Sequence, residues 1–223
     1  MGTSFTPLSR DRMARRVARD IPPGSYVNIG IGMPELVTGH VPPEREVIFQ
    51  SENGILGMGP AAPPEQADLE LVNAGKKPVT LLPGGAYFHH ADSFAMMRGG
   101  HLDFAILGGY QVASNGDLAN WSRGVPGVAP GVGGAMDLAV GARRLFILME
   151  HTTKDGQARL LEKCTMPLTG VGVVTRVFTD LAVVDVTPAG FLVTAMVAGL
   201  ERETLQGRTG AALRFAEAVE VLE

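Results

Sequence analysis

The sequence predicts a layered α/β protein, and three observations carry that reading. Apolar runs of strand length recur without strict polar alternation, as expected when both faces of a sheet are covered. Short helical segments fall between them, the pattern that builds helix-on-sheet layers. Glycines follow the ends of four runs, in "NIGIGMP", "SENGILGMG", "LPGGAYF" and "LGGYQV". In open α/β sheets the ligand crevice lies beyond the carboxyl ends of the strands, so several glycine-rich ends converging would build a site from loops.

The elements follow in order. "LSRDRMARRVARDIPPG" reads as an opening helix: Ser9 is its N-cap, Met13 and Val17 share a face, and Pro22-Pro23-Gly24 stops it. "YVNIGIG" is a buried strand running into glycines, and "PELVTGHV" a short helix with Pro34 in its first turn. "EVIFQ" is the next strand and leads into Glu52. "PAAPPEQADLE" reads as a surface excursion. "PVTLLPGG" is a strand, and "ADSFAMMRGG" a short helix closed by Gly99. "LDFAILGGYQV" and "RRLFILMEH" are further apolar strands. "LAVVDVTPAGFLVTAMV" reads as two strands around a Pro-Ala-Gly turn, and "ERETLQGRTG" starts a last short helix. Repeats and linkers are not evident, so residues 1–223 are read as one domain, with residues 1–7 disordered.

Composition narrows the function classes. The chain has 223 residues, 45% hydrophobic and 19% charged, a globular balance. A formal charge of −4 argues against nucleic acid or an anionic membrane as the main partner. One cysteine, Cys164, precludes an internal disulfide and fits a reducing cytoplasm. Runs approaching the roughly 20 apolar residues of a membrane span are missing, and "MGTSFTPLSRDRM" lacks the apolar core of a signal peptide.

Several chemistries can be set aside. "AGKKP" lacks the spacing and hydroxyl of a phosphate-binding P-loop, and "GIGMPE" has Glu35 where a dinucleotide fingerprint needs its last glycine. "FHHADSFAMMRGGHLD" gathers His89, His90, Asp92, His101 and Asp103, but not at a recognised metal-ligand spacing, so a polar loop at a pocket mouth is the better reading and no metal is expected. A serine elbow is lacking, and Cys164, in "EKCTMPLTG", is more often a small buried apolar residue than a catalyst. That leaves carboxylates. Glu52 stands alone in "QSENGILGMGP", directly after an apolar strand and before an Asn-Gly turn. By pattern alone a solvated turn acid is the commoner reading. Enclosed by glycines and apolar residues, however, a carboxylate would be poorly solvated and more nucleophilic.

The motifs "SENGILGMGP", "FHHADSFAMMRGGHLD", "LGGYQVASNGDLANW", "GVGGAMDL", "MEHTTKDG" and "CTMPLTG" occur in one order along the chain. In these the sequence resembles the B (beta) subunits of the family I, or 3-oxoacid, CoA-transferases, from about Leu8 to Leu213. The resemblance implies the CoA-transferase type of α/β fold, with a mainly parallel sheet and helices on both faces. It implies that Glu52 is the nucleophile of a ping-pong reaction passing through a glutamyl-CoA thioester, with coenzyme A a substrate and without cofactor or metal. It implies that the "GVGGAMD" loop carries the oxyanion donor, Gly134 by position, with Gly133 adjacent. Asn53, Gly54, Gly30, Gly32, His89, His90 and Arg98 are the expected substrate- or CoA-binding residues. Arg98 can equally be a cation at a helix end.

The resemblance further implies that the chain is half of an enzyme, paired with an A (alpha) subunit in an A2B2 heterotetramer. The "FHHADSFAMMRGGHLDFAILGGYQV" and "HTTKDG" segments look most like the branch that moves CoA from succinyl-CoA to 3-oxoadipate; acetoacetate is the alternative acceptor. An acyl-CoA hydrolase with the same nucleophile, or a non-catalytic binding module of the same fold, are the readings from other classes. "LVTAMVAGL" departs from the family pattern, in which a Glu and an Ala-Pro-Gly are common near Ala195 and Ala198. That puts C-terminal packing or subunit contact in doubt more than chemistry.

Overall fold

In the computed structural model, residues 5–122, 124, 127 and 131–222 are described. The backbone is a ten-stranded sheet. Its middle is parallel: β2 (Ile48–Ser51), β1 (Tyr26–Ile29), β5 (Phe104–Leu107), β8 (Arg144–Leu148) and β10 (Val174–Phe178) lie side by side. At one edge β3 (Ile55–Ala61) and β4 (Val79–Tyr87) add antiparallel to β2. At the other, β11 (Ala182–Thr187) and β12 (Gly190–Val197) form a hairpin, and β13 (Leu213–Leu222) closes the edge parallel to β12. A small sheet of β6 (Gln111–Ala113), β7 (Leu118–Ala119) and β9 (Leu160–Leu161) sits beyond the ends of β5 and β8.

The parallel middle is built from the unbroken apolar runs. Every residue of "FAIL" in β5, and Leu145 to Leu148 in β8, is buried, so both faces are covered. Phe104, Phe146 and Phe178 come from three adjacent strands and stack across them, with ring centroids 4.9 and 5.2 Å apart. Helix α1 (Arg10–Arg19) turns Met13, Ala14, Val17 and Ala18 into this core, and Ser9 caps it by accepting from the Arg12 backbone N–H. Helix α2 (His90–Arg98) packs on α3 (Ala135–Gly141), where a Cβ at Gly141 would overlap the Met97 carbonyl oxygen. Helix α4 (Arg202–Gly207) buries Leu205.

Some local expectations shift. "MPELVTGH" is a 3-10 helix, Met33–His40, not an α-helix. The glycine-rich stretch after Glu52 continues as β3 rather than remaining a loop, because Gly57 at φ +77 bulges against β4. Strand β13 is absent from the sequence reading: "LRFAEAVEVL" mixes charges with apolar residues, as suits a half-exposed edge. Disorder is expected through residue 7, yet Phe5 packs on the core with Arg208 5.3 Å from its ring centroid; residues 1–4 lie outside the described residues.

Candidate active site

The carboxyl ends of β1, β2, β5 and β8 converge on a cavity of about 340 Å³, lined among others by Gly30, Ile31, Glu52, Gly108, Gly133 and Gly134. Glu52 stands in the turn between β2 and β3, where Ser51 pairs with Ile55 and the Gly54 N–H donates to Ser51 O at 3.0 Å. Gly54 takes φ +113, and a Cβ there would overlap the Phe88 carbonyl oxygen, so only glycine fits. The Phe88 N–H donates to Gly54 O at 3.0 Å.

Glu52 is half-buried and meets the turn that begins α3. Gly133, at φ +47, bends the chain, and the Gly134 backbone N–H lies near enough to the Glu52 carboxylate to lower its pKa. A Cβ at Gly134 would overlap Glu52 Oε2 and stand 3.0 Å from Cδ and 3.1 Å from Phe94 Cζ. Burial raises the Glu52 pKa above the ordinary glutamate range; the Gly134 hydrogen bond and the nearby His90 oppose this, and Asp137 adds to it. The result is a carboxylate short of water, with a backbone N–H beside its oxygens.

The other expected residues divide. Gly30 lines the cavity, and a Cβ there would come within 2.9 Å of Leu107 Cδ2. Gly32 is one turn away, at φ +91, and donates its N–H to Glu35. Asn53 points out and donates from Nδ2 to Val72 O at 2.7 Å. His90 packs on Phe94 with centroids 4.7 Å apart and acts on the Glu52 charge, whereas His89 caps α2 by accepting from the Ala91 N–H. Arg98 pairs with Asp137 at 2.6 Å at the end of α2 and does not line the cavity.

Asp103 of the polar stretch pairs with Arg143 at 2.9 Å and accepts from the Tyr26 N–H. Among the described residues, groups of three or more His, Cys, Asp or Glu that could hold a metal do not occur. Burial pushes the Cys164 thiol up to about 11, which disfavours its thiolate.

Sequence reasoning missed the residues that support the Glu52 turn. Asn28 and Gln50 are buried polar residues inside apolar strands, paired in register, and Asn28 donates to the Gln50 side chain. Gln50 Nε2 donates in turn to buried Ser93 Oγ at 2.6 Å, tying β2 to α2 beneath Glu52. The signal was present: a polar residue mid-strand in a covered sheet requires a partner. Phe94 stands against Gly134 and Asp137 acts on the Glu52 charge, and neither had a local signal.

The model of the family described as Coenzyme A transferase matches residues 10–198. The chain belongs to the coenzyme A transferase family. This transferase is 56% identical over 206 residues to the B subunit of the 3-oxoadipate CoA-transferase of Pseudomonas putida, covering 92% of this chain and 96% of that protein. It is 45% identical to the B subunit of the probable succinyl-CoA:3-ketoacid coenzyme A transferase of Bacillus subtilis, over 95% and 97% of the two chains. In fold the transferase is similar to the Escherichia coli O157:H7 acyl-CoA transferase YdiF, with TM-score 0.76 at 16% identity, over 100% of this chain and 45% of that one.

Proposed function

We propose that the chain is the B subunit of an enzyme that moves CoA from succinyl-CoA to a 3-oxoacid, 3-oxoadipate in the first place, through a glutamyl-CoA thioester on Glu52. The observation that carries this reading is the meeting of desolvated Glu52 with the Gly134 N–H. The Glu52 carboxylate attacks the thioester carbonyl, and CoA leaves as thiolate. This gives a mixed acyl-glutamyl anhydride. The thiolate then attacks Glu52 Cδ, and the first acid leaves as carboxylate. The acceptor's carboxylate attacks the glutamyl thioester, thiolate leaves again, and its attack on the acceptor's acyl carbon frees Glu52. One thioester replaces another, so no cofactor or metal is required, and CoA is a substrate throughout.

Each addition at Cδ places negative charge on an oxygen that the Gly134 N–H already faces. Such a donor contributes about 3 kcal/mol to a transition state. Gly133 sets its direction, and the absence of a side chain at both positions leaves room for CoA sulfur. The anhydride survives only in a dry site. Glu52 is half-buried in this chain, and the relatives are named as B subunits, so an A subunit supplies the remaining wall and a second oxyanion donor, in an A2B2 assembly. The described helices include none long and apolar enough to cross a membrane, and the lone Cys164 suits the cytoplasm.

The choice of acid rests on the name of the Pseudomonas putida relative and on His90, which is exposed and close enough to Glu52 to act on its charge. His90 can pair with the distal carboxylate of 3-oxoadipate, a group acetoacetate lacks. His89, committed to the α2 cap, has a structural use. The test is to load the A/B complex with succinyl-CoA, trap with hydroxylamine or borohydride, and map the modified residue. The expected adduct is on Glu52 and is lost in Glu52→Gln. An adduct elsewhere, or steady release of free CoA without an acceptor, overturns the proposal, the latter in favour of a hydrolase.

A further inference from the structure

One carboxylate joins two turns that wall the Glu52 cavity, and the reaction above does not use it. Glu35 lies in the 3-10 helix after the Gly30–Gly32 turn, with its side chain 14% exposed. Its Oε2 accepts from the Gly32 N–H at 3.0 Å and from Lys77 Nζ at 2.6 Å. Its Oε1 accepts from Asn73 Nδ2 at 3.0 Å, and a Cβ at Gly75 would come within 2.9 Å of it. Three charge-assisted bonds therefore converge from two separate segments.

The second segment is a closed loop. Val72 bridges Pro78, the Asn73 N–H donates to Lys77 O at 2.9 Å, and the Lys77 N–H returns to Asn73 Oδ1 at 3.0 Å. This loop grips the nucleophile turn on both sides of Glu52. The Ala74 N–H donates to Ser51 Oγ at 3.0 Å, and Asn53 Nδ2 donates to Val72 O at 2.7 Å. A ring thus closes from the Gly32 turn through Glu35 and the 72–78 loop to residues 51 and 53. Gly30, Ile31 and Ala74 on that ring line the cavity with Glu52.

We infer that Glu35 is a positioning residue: it holds the Gly30–Gly32 turn and the 72–78 loop at fixed spacing beside Glu52, keeping the glutamyl carbonyl aimed and water out. The inference rests on the reading of Glu52 as nucleophile. Its first test does not. Backbone amide exchange at Ala74, measured on the full chain, reads the grip on Ser51 directly. Glu35→Ala should speed that exchange about tenfold while leaving the β8 amides unchanged. Glu35→Gln, which keeps one acceptor, should fall between, and Lys77→Met, which keeps the Gly32 and Asn73 bonds, should change it less.

In the A/B complex, Glu35→Ala should raise the share of succinyl-CoA lost to water about tenfold relative to transfer, a ratio that a general loss of folded protein leaves unmoved. Unchanged Ala74 exchange in Glu35→Ala overturns the inference. So does equal acceleration of Ala74 and β8 in both Glu35 variants, which would mark a global defect. If the unaltered complex forms no glutamyl adduct, the nucleophile reading fails, and the Ala74 result still decides whether Glu35 couples the two turns.

Discussion

Two antiparallel hairpins stand at opposite ends of the same sheet, and they are built on different principles. The β11–β12 turn is held by its own residues: Thr187 Oγ1 donates to Gly190 O at 2.8 Å and accepts from the Ala189 N–H at 3.2 Å. The β2–β3 turn, which carries Glu52, is held by neighbours distant in sequence. Val72 and Ala74 grip its flanks, Phe88 stops Gly54, and Gly134 meets the carboxylate. The first turn needs only to reverse the chain. The second must hold one atom against a donor from another segment, and local chemistry alone does not specify that position.

The contrast between the turns predicts its largest effect at Gly134. Gly134→Ala places a methyl group on Glu52 Oε2, so transfer by the A/B complex should fall at least about a hundredfold, with folding retained by circular dichroism. Near-normal transfer in that variant would overturn the account of the Glu52 turn. Next come the two hairpin glycines. Gly54→Ala meets both φ +113 and the Phe88 carbonyl, and should cost at least about 3 kcal/mol in urea unfolding. Gly190→Ala, at φ +92 in open space, should cost about 1 kcal/mol and leave transfer intact. Equal costs would mean that the turns differ less than their contacts imply.

His151 tests the segment just beyond the carboxyl end of β8. It is buried between Thr179 and Thr209, with ring nitrogens 3.0 and 2.9 Å from their hydroxyls, and burial followed by the Arg208 charge lowers its pKa to about 4. The folded state prefers the neutral ring, so its stabilisation is present above the ordinary histidine range, near 6.5, and fades as pH falls towards 4. Stability should drop by about 2 kcal/mol between pH 7 and pH 5 through this group, and His151→Gln should flatten that part of the pH profile.

The smallest effect on stability is at Glu52 itself, where the raised pKa has the opposite sign. The folded state favours the protonated acid and opposes the carboxylate as pH rises through the folded pKa. Glu52→Gln should therefore raise the melting temperature slightly at pH 7 while abolishing the trapped adduct. A lowered melting temperature would show that the charge is well solvated after all. In the same sense, the acid limb of the transfer rate should lie above the ordinary glutamate range.

The legible part of the molecule was the part made of uninterrupted apolar runs. Strands β1, β2, β5, β8 and the β11–β12 pair follow directly from their sequences, because covered strands must be apolar on both faces. The β13 edge was not legible, since Glu217 and Glu220 are compatible with a loop as well as with a half-exposed strand. Glu52 was visible as an unusual acid, but pattern alone left it a turn residue, and only the resemblance carried by the longer motifs implied a chemical role for it. Phe94, Asp137 and Glu35 lay beyond reach for a common reason: Phe94 meets Gly134, Asp137 acts on Glu52, and Glu35 reaches Asn73 and Lys77, and no short window of sequence contains those pairs.

The bond from Phe88 to Gly54 has a consequence for how acid preference can change. Phe88 immediately precedes His89 and α2, and α2 carries His90, Phe94 and Ser93, the last anchored to Gln50, two residues before Glu52. The residues that would sense the incoming acid and the residue that would attack are thus fastened to one rigid body at two points. On the reading of Glu52 as nucleophile, a substitution in α2 that admits a new acid also re-aims Glu52, so taste and reactivity are inherited together.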